Sequence, residues 1–151
     1  MVRVGVVGLG MMGLTHLNVY KNRDDVTLAA ICDSDPARLS GQVQAAGNVE
    51  GQAMSSVAAL EGVQRSADIY ELIGNENIDL VDICLPTDMH AKFGCEVLRA
   101  GQHLMIEKPL ARTSAAAQSL VDAAADAKGI AFVGQCMRFW PGWSWLREVI
   151  Q

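Results

Sequence analysis

The chain has 151 residues, half of them apolar and 19% charged, and 12 Lys and Arg against 17 Asp and Glu leave a net charge of -5. This is the size of one ordinary domain with material for a real core, and it is too apolar for disorder. No basic block offers a footprint for nucleic acid, and no apolar run approaches the ~18 residues needed to span a bilayer.

Met1-Val2-Arg3-Val4-Gly5 enters a strand pattern at once and leaves no room for a signal peptide, so a cytoplasmic location is expected. Cys32, Cys84, Cys95 and Cys136 are widely spaced without a CxxC and read as reduced thiols. His16, His90 and His103 share no ligand spacing with one another or with cysteine, so no metal site is expected.

Apolar runs then alternate with helical stretches. Val2 to Val7 predicts a buried strand and Met11 to Tyr20 a helix. Thr27 to Cys32 is a second strand, ending at Asp33. Pro36 suits the first turn of a helix running to about Ala46. Gly47 to Val63 has only a helical-looking Met54-Val57-Ala58-Leu60 face, followed by a compressed strand at Val63 to Ser66. Ile78 to Leu85 is a strand, and Thr87 to Ala100 a helix stopped by Gly101. His103 to Ile106 is a strand, Thr113 to Lys128 an Ala-rich helix ended by Gly129, and Ile130 to Val133 a strand. Trp143 to Ile150 is a helical tail. The alternation implies an α/β fold with one doubly wound parallel sheet.

The most informative segment is Gly8-Leu9-Gly10-Met11-Met12-Gly13, a G-x-G-x-x-G turn between the first strand and the first helix. Gly8 permits the tight turn, Gly10 lets a pyrophosphate approach the backbone, and Gly13 lets the helix pack closely. The amides of the helix start, Leu9, Met11 and Met12 among them, face the phosphates with the helix dipole in their favour. Asp33 lies 20 positions after Gly13, where a carboxylate accepts from the adenosine ribose hydroxyls. The bland alternative is a structural turn plus an Asp capping the helix at Pro36. A 2′-phosphate beside Asp33 and Asp35 would meet like charge, so NAD is favoured over NADP. Ser34 and Arg38 complete this end of the cofactor site, and Arg38 is the cation that keeps NADP as the alternative.

Polar clusters recur where later strands should end, the edge at which open α/β sheets bind ligands: Leu85-Pro86-Thr87-Asp88-Met89-His90, Glu107-Lys108-Pro109 and Gln135-Cys136-Met137-Arg138-Phe139-Trp140-Pro141. With the Ala-Gly-x-His strand before Glu107-Lys108-Pro109, the P-T-x-x-H run and the R-F-x-P run, the chain resembles the Gfo/Idh/MocA family of sugar and inositol oxidoreductases. The resemblance implies a Rossmann domain that moves hydride between NAD(P) and a carbohydrate-like hydroxyl or ketone. It also implies a second, open-sheet domain that holds substrate and builds oligomers. It places Lys108 near nicotinamide and substrate as the catalytic residue. Pro86 and Thr87, with Leu85 before them, then line the nicotinamide-ribose side. His90 either joins that site or packs its helix on the sheet. Glu107 orients Lys108 or touches the ribose. Gln135 and Arg138 reach the nicotinamide end, or Arg138 ties down the linker. Apart from the family, Lys108 reads as a surface lysine paired with Glu107.

Residues 1–135 are thus expected to form the dinucleotide-binding domain, and 136–151 a linker and the start of a second domain. The family's further catalytic Asp and His have no counterpart here, so the chain is expected to bind NAD with little turnover. Trp140, Trp143, Trp145 and Phe139 crowd into seven residues. Such a tail packs on its own sheet, on a further domain or on a second copy in a homo-oligomer. The competing functions are a regulatory NAD-binding sensor without chemistry, a methyltransferase using S-adenosylmethionine and a pure interaction domain.

Overall fold

A computed structural model describes residues 1–42 and 57–150. Six parallel strands form one sheet: β1 (Val2–Val7), β2 (Val26–Cys32), β3 (Gln64–Ser66), β4 (Leu80–Ile83), β5 (His103–Ile106) and β6 (Ala131–Val133). Their spatial order is β3-β2-β1-β4-β5-β6, so the chain starts in the middle and winds outward in both directions. The helices are α1 (Met11–Lys21), α2 (Pro36–Ser40), α3 (Thr87–Arg99), α4 (Ser114–Asp126) and α5 (Pro141–Ile150).

Two cores follow from the pleat of the central strands. Val4 and Val6 of β1 meet Leu14 and Leu17 of α1 and Ile31 of β2 on one face. Val7 faces the other way and joins Val81, Ile83, Leu104 and Ile106 with Val97 and Leu98 of α3 and Leu120 of α4. Alternate residues of a strand point to opposite faces, so a strand covered on both sides is apolar throughout. Gly5 makes room here, because a Cβ would sit 3.0 Å from Leu72 and 3.2 Å from Ile78. Burying Leu17 fully contributes roughly 1.5–3 kcal/mol relative to exposure.

Several expected boundaries change. The second helix ends at Ser40 rather than near Ala46, because Gly41 takes a positive φ of 78° and turns its N–H, with that of Gln42, back onto Arg38 and Ala37. The rest of that expected helix lies outside the described residues, as does most of Gly47 to Val63, including Met54. Of the expected face, Val57–Ala59 forms one 3-10 turn, with Val57 and Leu60 buried. The helix α4 stops at Asp126, where Ala127 turns extended, so Gly129 does not end it. Gly129 is instead required two residues further on, where a Cβ would overlap the Gln102 carbonyl. The strand β4 is shorter than its apolar run, since Ile78 closes a turn onto Asn75. The tail helix α5 starts two residues early, with Pro141 at its first position, and follows an unanticipated 3-10 turn at Cys136–Phe139.

All four cysteines are free thiols, with Cys32 and Cys95 buried. Among the described residues no helix is long and apolar enough to cross a membrane.

Candidate functional site

The carboxyl ends of β1, β2 and β4 and the start of α1 enclose a cleft of about 680 Å³. Gly8 makes the turn into α1 with φ of 90°, and a Cβ there would lie 2.7 Å from the Cys84 carbonyl oxygen. A Cβ on Gly13 would overlap the Gly8 carbonyl, so this glycine fits the helix against the turn itself. Gly10 differs, because a Cβ there would meet nothing within 4 Å. The protein's own packing therefore does not require that glycine. The helix opens at Gly10 without a side-chain cap and without an acidic residue in its first turn. Its leading amides and dipole are left facing the cleft.

Asp33 closes the far side of the turn and is 7% exposed. Its Oδ2 accepts from the Leu9 N–H at 2.7 Å and its Oδ1 from the Asp35 N–H at 2.9 Å. This corrects one expectation, since the Leu9 amide, expected to face the phosphates, is bonded to Asp33. The cap of α2 falls to Asp35, which accepts from the Ala37 N–H at 2.9 Å. A carboxylate offers about four lone-pair sites, so Asp33 retains acceptor capacity. The Arg38 guanidinium stands 3.6 Å from Asp33 and 3.7 Å from Asp35. Gly8, Gly10, Met11, Met12, Asp33, Ser34, Arg38, Leu85 and Pro86 all line the cleft. Burial and the adjacent Asp33 push the Cys32 thiol, in the cleft floor, up to about 12.

The opposite wall escapes motif reading. Asp68, Ile69 and Tyr70 come from the 3-10 turn Ile69–Glu71 and its cap, brought in by β3. Met89 and Phe93 project from α3 one turn apart. Tyr70 and Phe93 meet edge-on with centroids 6.1 Å apart. The Met89/Phe93 spacing was legible once Thr87 was read as a helix start. The Asp68–Tyr70 turn carried no comparable signal.

The second half of the expected site divides. Thr87 starts α3 beside Pro86. His90 turns inward and is 1% exposed, with Nε2 2.8 Å from the Leu85 carbonyl and Nδ1 2.9 Å from the Pro109 carbonyl. Its expected contact with cofactor is corrected, for it holds together the two loops that carry the site. Lys108 is exposed and its ammonium has no carboxylate partner among the described residues, so it is not paired with Glu107. Its backbone N–H donates to Glu107 Oε2 at 3.1 Å, and the Lys108–Pro109 peptide is cis. Gln135 and Arg138 are exposed and share a groove with Leu110 and Phe139 beside β6, away from the cleft. The Arg138 carbonyl accepts from the Ser144 hydroxyl at 3.1 Å, tying its turn to α5.

Sequence spacing missed one constellation altogether. His16 and Tyr20 of α1 point at Asp82 of β4, which is fully buried. His16 Nδ1, an Asp82 oxygen and Cys84 Sγ lie within 4.8 Å of one another, a combination of atoms that could hold a metal ion. They already satisfy one another by hydrogen bonds. Burial disfavours the His16 charge, but the bond to Asp82 and the charges of Asp82 and Glu107 outweigh it and raise the pKa above 6.5. Tyr20 and Cys84 are both pushed up, by burial first and Asp82 second.

Residues 2–135 match the model of an oxidoreductase family with an NAD-binding Rossmann fold. A glycosyl hydrolase family 109 protein of Shewanella pealeana is 32% identical over 123 residues, 82% of this chain and 26% of that protein. Inositol 2-dehydrogenase 2 of Saccharopolyspora erythraea is 29% identical over 149 residues, 97% of this chain and 40% of that protein. The WlbA dehydrogenase of Chromobacterium violaceum, crystallised with NADH and UDP-GlcNAcA, superposes with a TM-score of 0.80 at 26% identity, covering 98% of this chain and 39% of that one. The chain thus spans between about a quarter and two fifths of these relatives. With its glycine turn, its sheet order and this match, the chain belongs to the Gfo/Idh/MocA oxidoreductase family, as its NAD-binding Rossmann domain.

Proposed function

We propose that the chain is the cofactor-binding part of an enzyme that transfers hydride between NAD and a sugar, inositol or related polyol or ketone. The observation that carries this is the start of α1, uncapped at Gly10, with open space where a Cβ would stand and the Asp33 carboxylate beside it. In this reading the amides of Met11 and Met12 hold the pyrophosphate, and Asp33 adds ribose hydroxyls to the two amides it already binds. The far wall of Ile69, Tyr70, Met89 and Phe93 offers an apolar face to a purine. Leu85, Pro86 and Thr87 lead on toward the nicotinamide end.

NAD, when bound, supplies the hydride acceptor. Lys108, free of carboxylate partners, takes or returns the hydroxyl proton of the substrate or polarises its carbonyl. Glu107, bonded to the Lys108 amide, fixes the direction of that loop. His90 stands behind this loop, within hydrogen-bond distance of both the Leu85 and the Pro109 carbonyl. The NADH and UDP-sugar of the WlbA crystal and the substrate in the name of the inositol relative support the cofactor and the substrate class. The proton relay is completed by groups outside this chain, and residues 136–151 lead toward them.

Titration calorimetry tests this directly. The chain is expected to bind NAD more tightly than NADP, on the order of tenfold, since the 2′-phosphate would face Asp33 and Asp35. Asp33→Ala should narrow that ratio. An unchanged ratio removes Asp33 from the ribose site, and no binding of either nucleotide overturns the proposal. In the longer protein, Lys108→Ala should lower kcat by roughly 10²–10⁴ with nucleotide affinity kept. Unchanged turnover would remove Lys108 from the chemistry, and no turnover in either form would favour a cofactor sensor instead.

A further inference from the structure

Asp82 is a charged residue in the middle of a buried parallel strand, at 0% exposure, where an apolar side chain would be the rule. Two positions on, Cys84 points to the same side as Asp82, because alternate residues along an extended chain share a face. That side faces α1, which brings His16 and, one turn later, Tyr20. The ligands come from positions 66 and 68 apart, so no spacing in the sequence shows them together.

Three ligand types converge here. His16 Nδ1 is 2.8 Å from Asp82 Oδ2 and 3.4 Å from Cys84 Sγ, and Sγ is 3.7 Å from Asp82 Oδ1. Atoms bound to one tetrahedral zinc ion at its usual bond lengths stand about 3.4–3.6 Å apart, and the observed spacings bracket that range. The surrounding contacts are those a ligand set needs. A ligating histidine gives its other ring N–H to a carboxylate, and His16 Nε2 is 3.4 Å from Glu107 Oε1. A ligating carboxylate is itself hydrogen-bonded, and the Tyr20 hydroxyl donates to Asp82 Oδ2 at 2.7 Å. Two buried carboxylates, Asp82 and Glu107, also require a counter-charge. Cys84 lines the cleft, which gives an ion a path from solvent.

We propose that His16 Nδ1, an Asp82 carboxylate oxygen and the Cys84 sulfur form a site for a divalent ion of the zinc class, with Glu107 and Tyr20 orienting the ligands. Sulfur and imidazole ligands favour zinc over calcium or magnesium, which take oxygen. On binding, the hydrogen bonds among the three ligands give way to bonds to the ion. The thiol proton leaves to solvent, and the imidazole keeps one proton, on Nε2 toward Glu107. The ion, the thiolate and Asp82 then sum to zero charge. Glu107 keeps its own negative charge and two donors, His16 Nε2 and the Lys108 N–H. The ion ties α1 to the end of β4 directly behind the glycine turn.

Calorimetry on the nucleotide-free chain, stripped with a chelator and titrated with Zn2+, tests this. One ion per chain is expected, with Kd tighter than about 10 μM; weaker binding overturns the proposal. Asp82→Asn and Cys84→Ser should each weaken it by about a hundredfold or more, and Glu107→Gln by about 10–100-fold. Cys136→Ser removes the exposed thiol outside the cluster and should change nothing. Affinity kept in Cys84→Ser but lost in Cys136→Ser would mean an adventitious ion only. Co2+ in the wild-type chain needs no cluster variant to fold. It should give thiolate-to-cobalt charge-transfer absorption that survives Cys136→Ser, and its absence overturns the site. Zinc binding is measured without nucleotide, so a chain that takes NAD but not zinc sinks this proposal alone, and one that takes zinc but not NAD sinks only the nucleotide site.

Discussion

Gly10 and Gly13 sit three residues apart in one turn and answer to different constraints. A Cβ at Gly13 strikes the backbone carbonyl of Gly8, which has nowhere to move. Gly13→Ala is therefore expected to destabilise the domain by about 2 kcal/mol, seen as a lower urea midpoint. A Cβ at Gly10 strikes nothing in the protein. Gly10→Ala should leave the urea midpoint within about 0.5 kcal/mol of wild type yet weaken NAD binding on the order of tenfold. A stability loss at Gly10 equal to that at Gly13 would show that packing, not ligand access, demands both glycines. Asp33 combines the two kinds of demand, since it braces the Leu9 and Asp35 amides and also faces the cleft. For that reason the ratio of NAD to NADP affinity, rather than either affinity alone, reports its contact with the ribose.

The strands are joined to their neighbours by side chains as well as by the ladder. Gln102, just before β5, donates from Nε2 to the Leu72 and Ile78 carbonyls at 3.0 Å each and accepts the Gly74 N–H at 2.9 Å. It serves as the internal partner of a loop that has no regular structure of its own. Gln102→Leu leaves those backbone groups unpaired and should cost about 3 kcal/mol in chemical denaturation. Arg3 of β1 forks onto Asp79, before β4, at 2.6 and 3.0 Å. That bond, with the Arg3 backbone N–H, holds the Asp79 carboxyl at about 2, below its usual 3.8. A depressed folded-state value contributes stability that is whole above the unfolded value and disappears as pH falls through the folded one. The pair is over a third exposed on the arginine side, which limits the gain to under about 1 kcal/mol. The Tm of Asp79→Asn should thus lie slightly below wild type at neutral pH and converge with it as pH drops from 3.8 toward 2.

At the scale of the molecule, the most uneven feature is the tail. None of the residues of α5 is buried, and Trp140, Trp143 and Trp145 are 55%, 49% and 63% exposed. Of the packing partners open to the tail, its own sheet takes little; Phe139 meets a strand residue, Phe132, at 6.1 Å between centroids. Replacing Trp143 and Trp145 by Ser should therefore leave Tm nearly unchanged, within about 0.5 kcal/mol of stability. The same change should reduce concentration-dependent association in sedimentation, because a large exposed apolar patch is removed. A marked fall in Tm would mean that the tail packs on the domain in solution.

Local pattern alone carried the architecture and half of the candidate site. Strand and helix periods, the positive-φ glycines and the βα alternation are properties of short segments, and so are the G-x-G-x-x-G turn and an acidic residue after β2. Helix ends were less legible where a backbone turn intervened, as at Gly41, or where a glycine served a distant contact, as Gly129 does for Gln102. The far wall of the cleft, the inward turn of His90 and the joining of His16, Tyr20, Asp82 and Glu107 were decided only in three dimensions. Their members are up to 91 positions apart (16 to 107), and a hydrogen bond between such residues exists only once the sheet order has put β4 and β5 under α1.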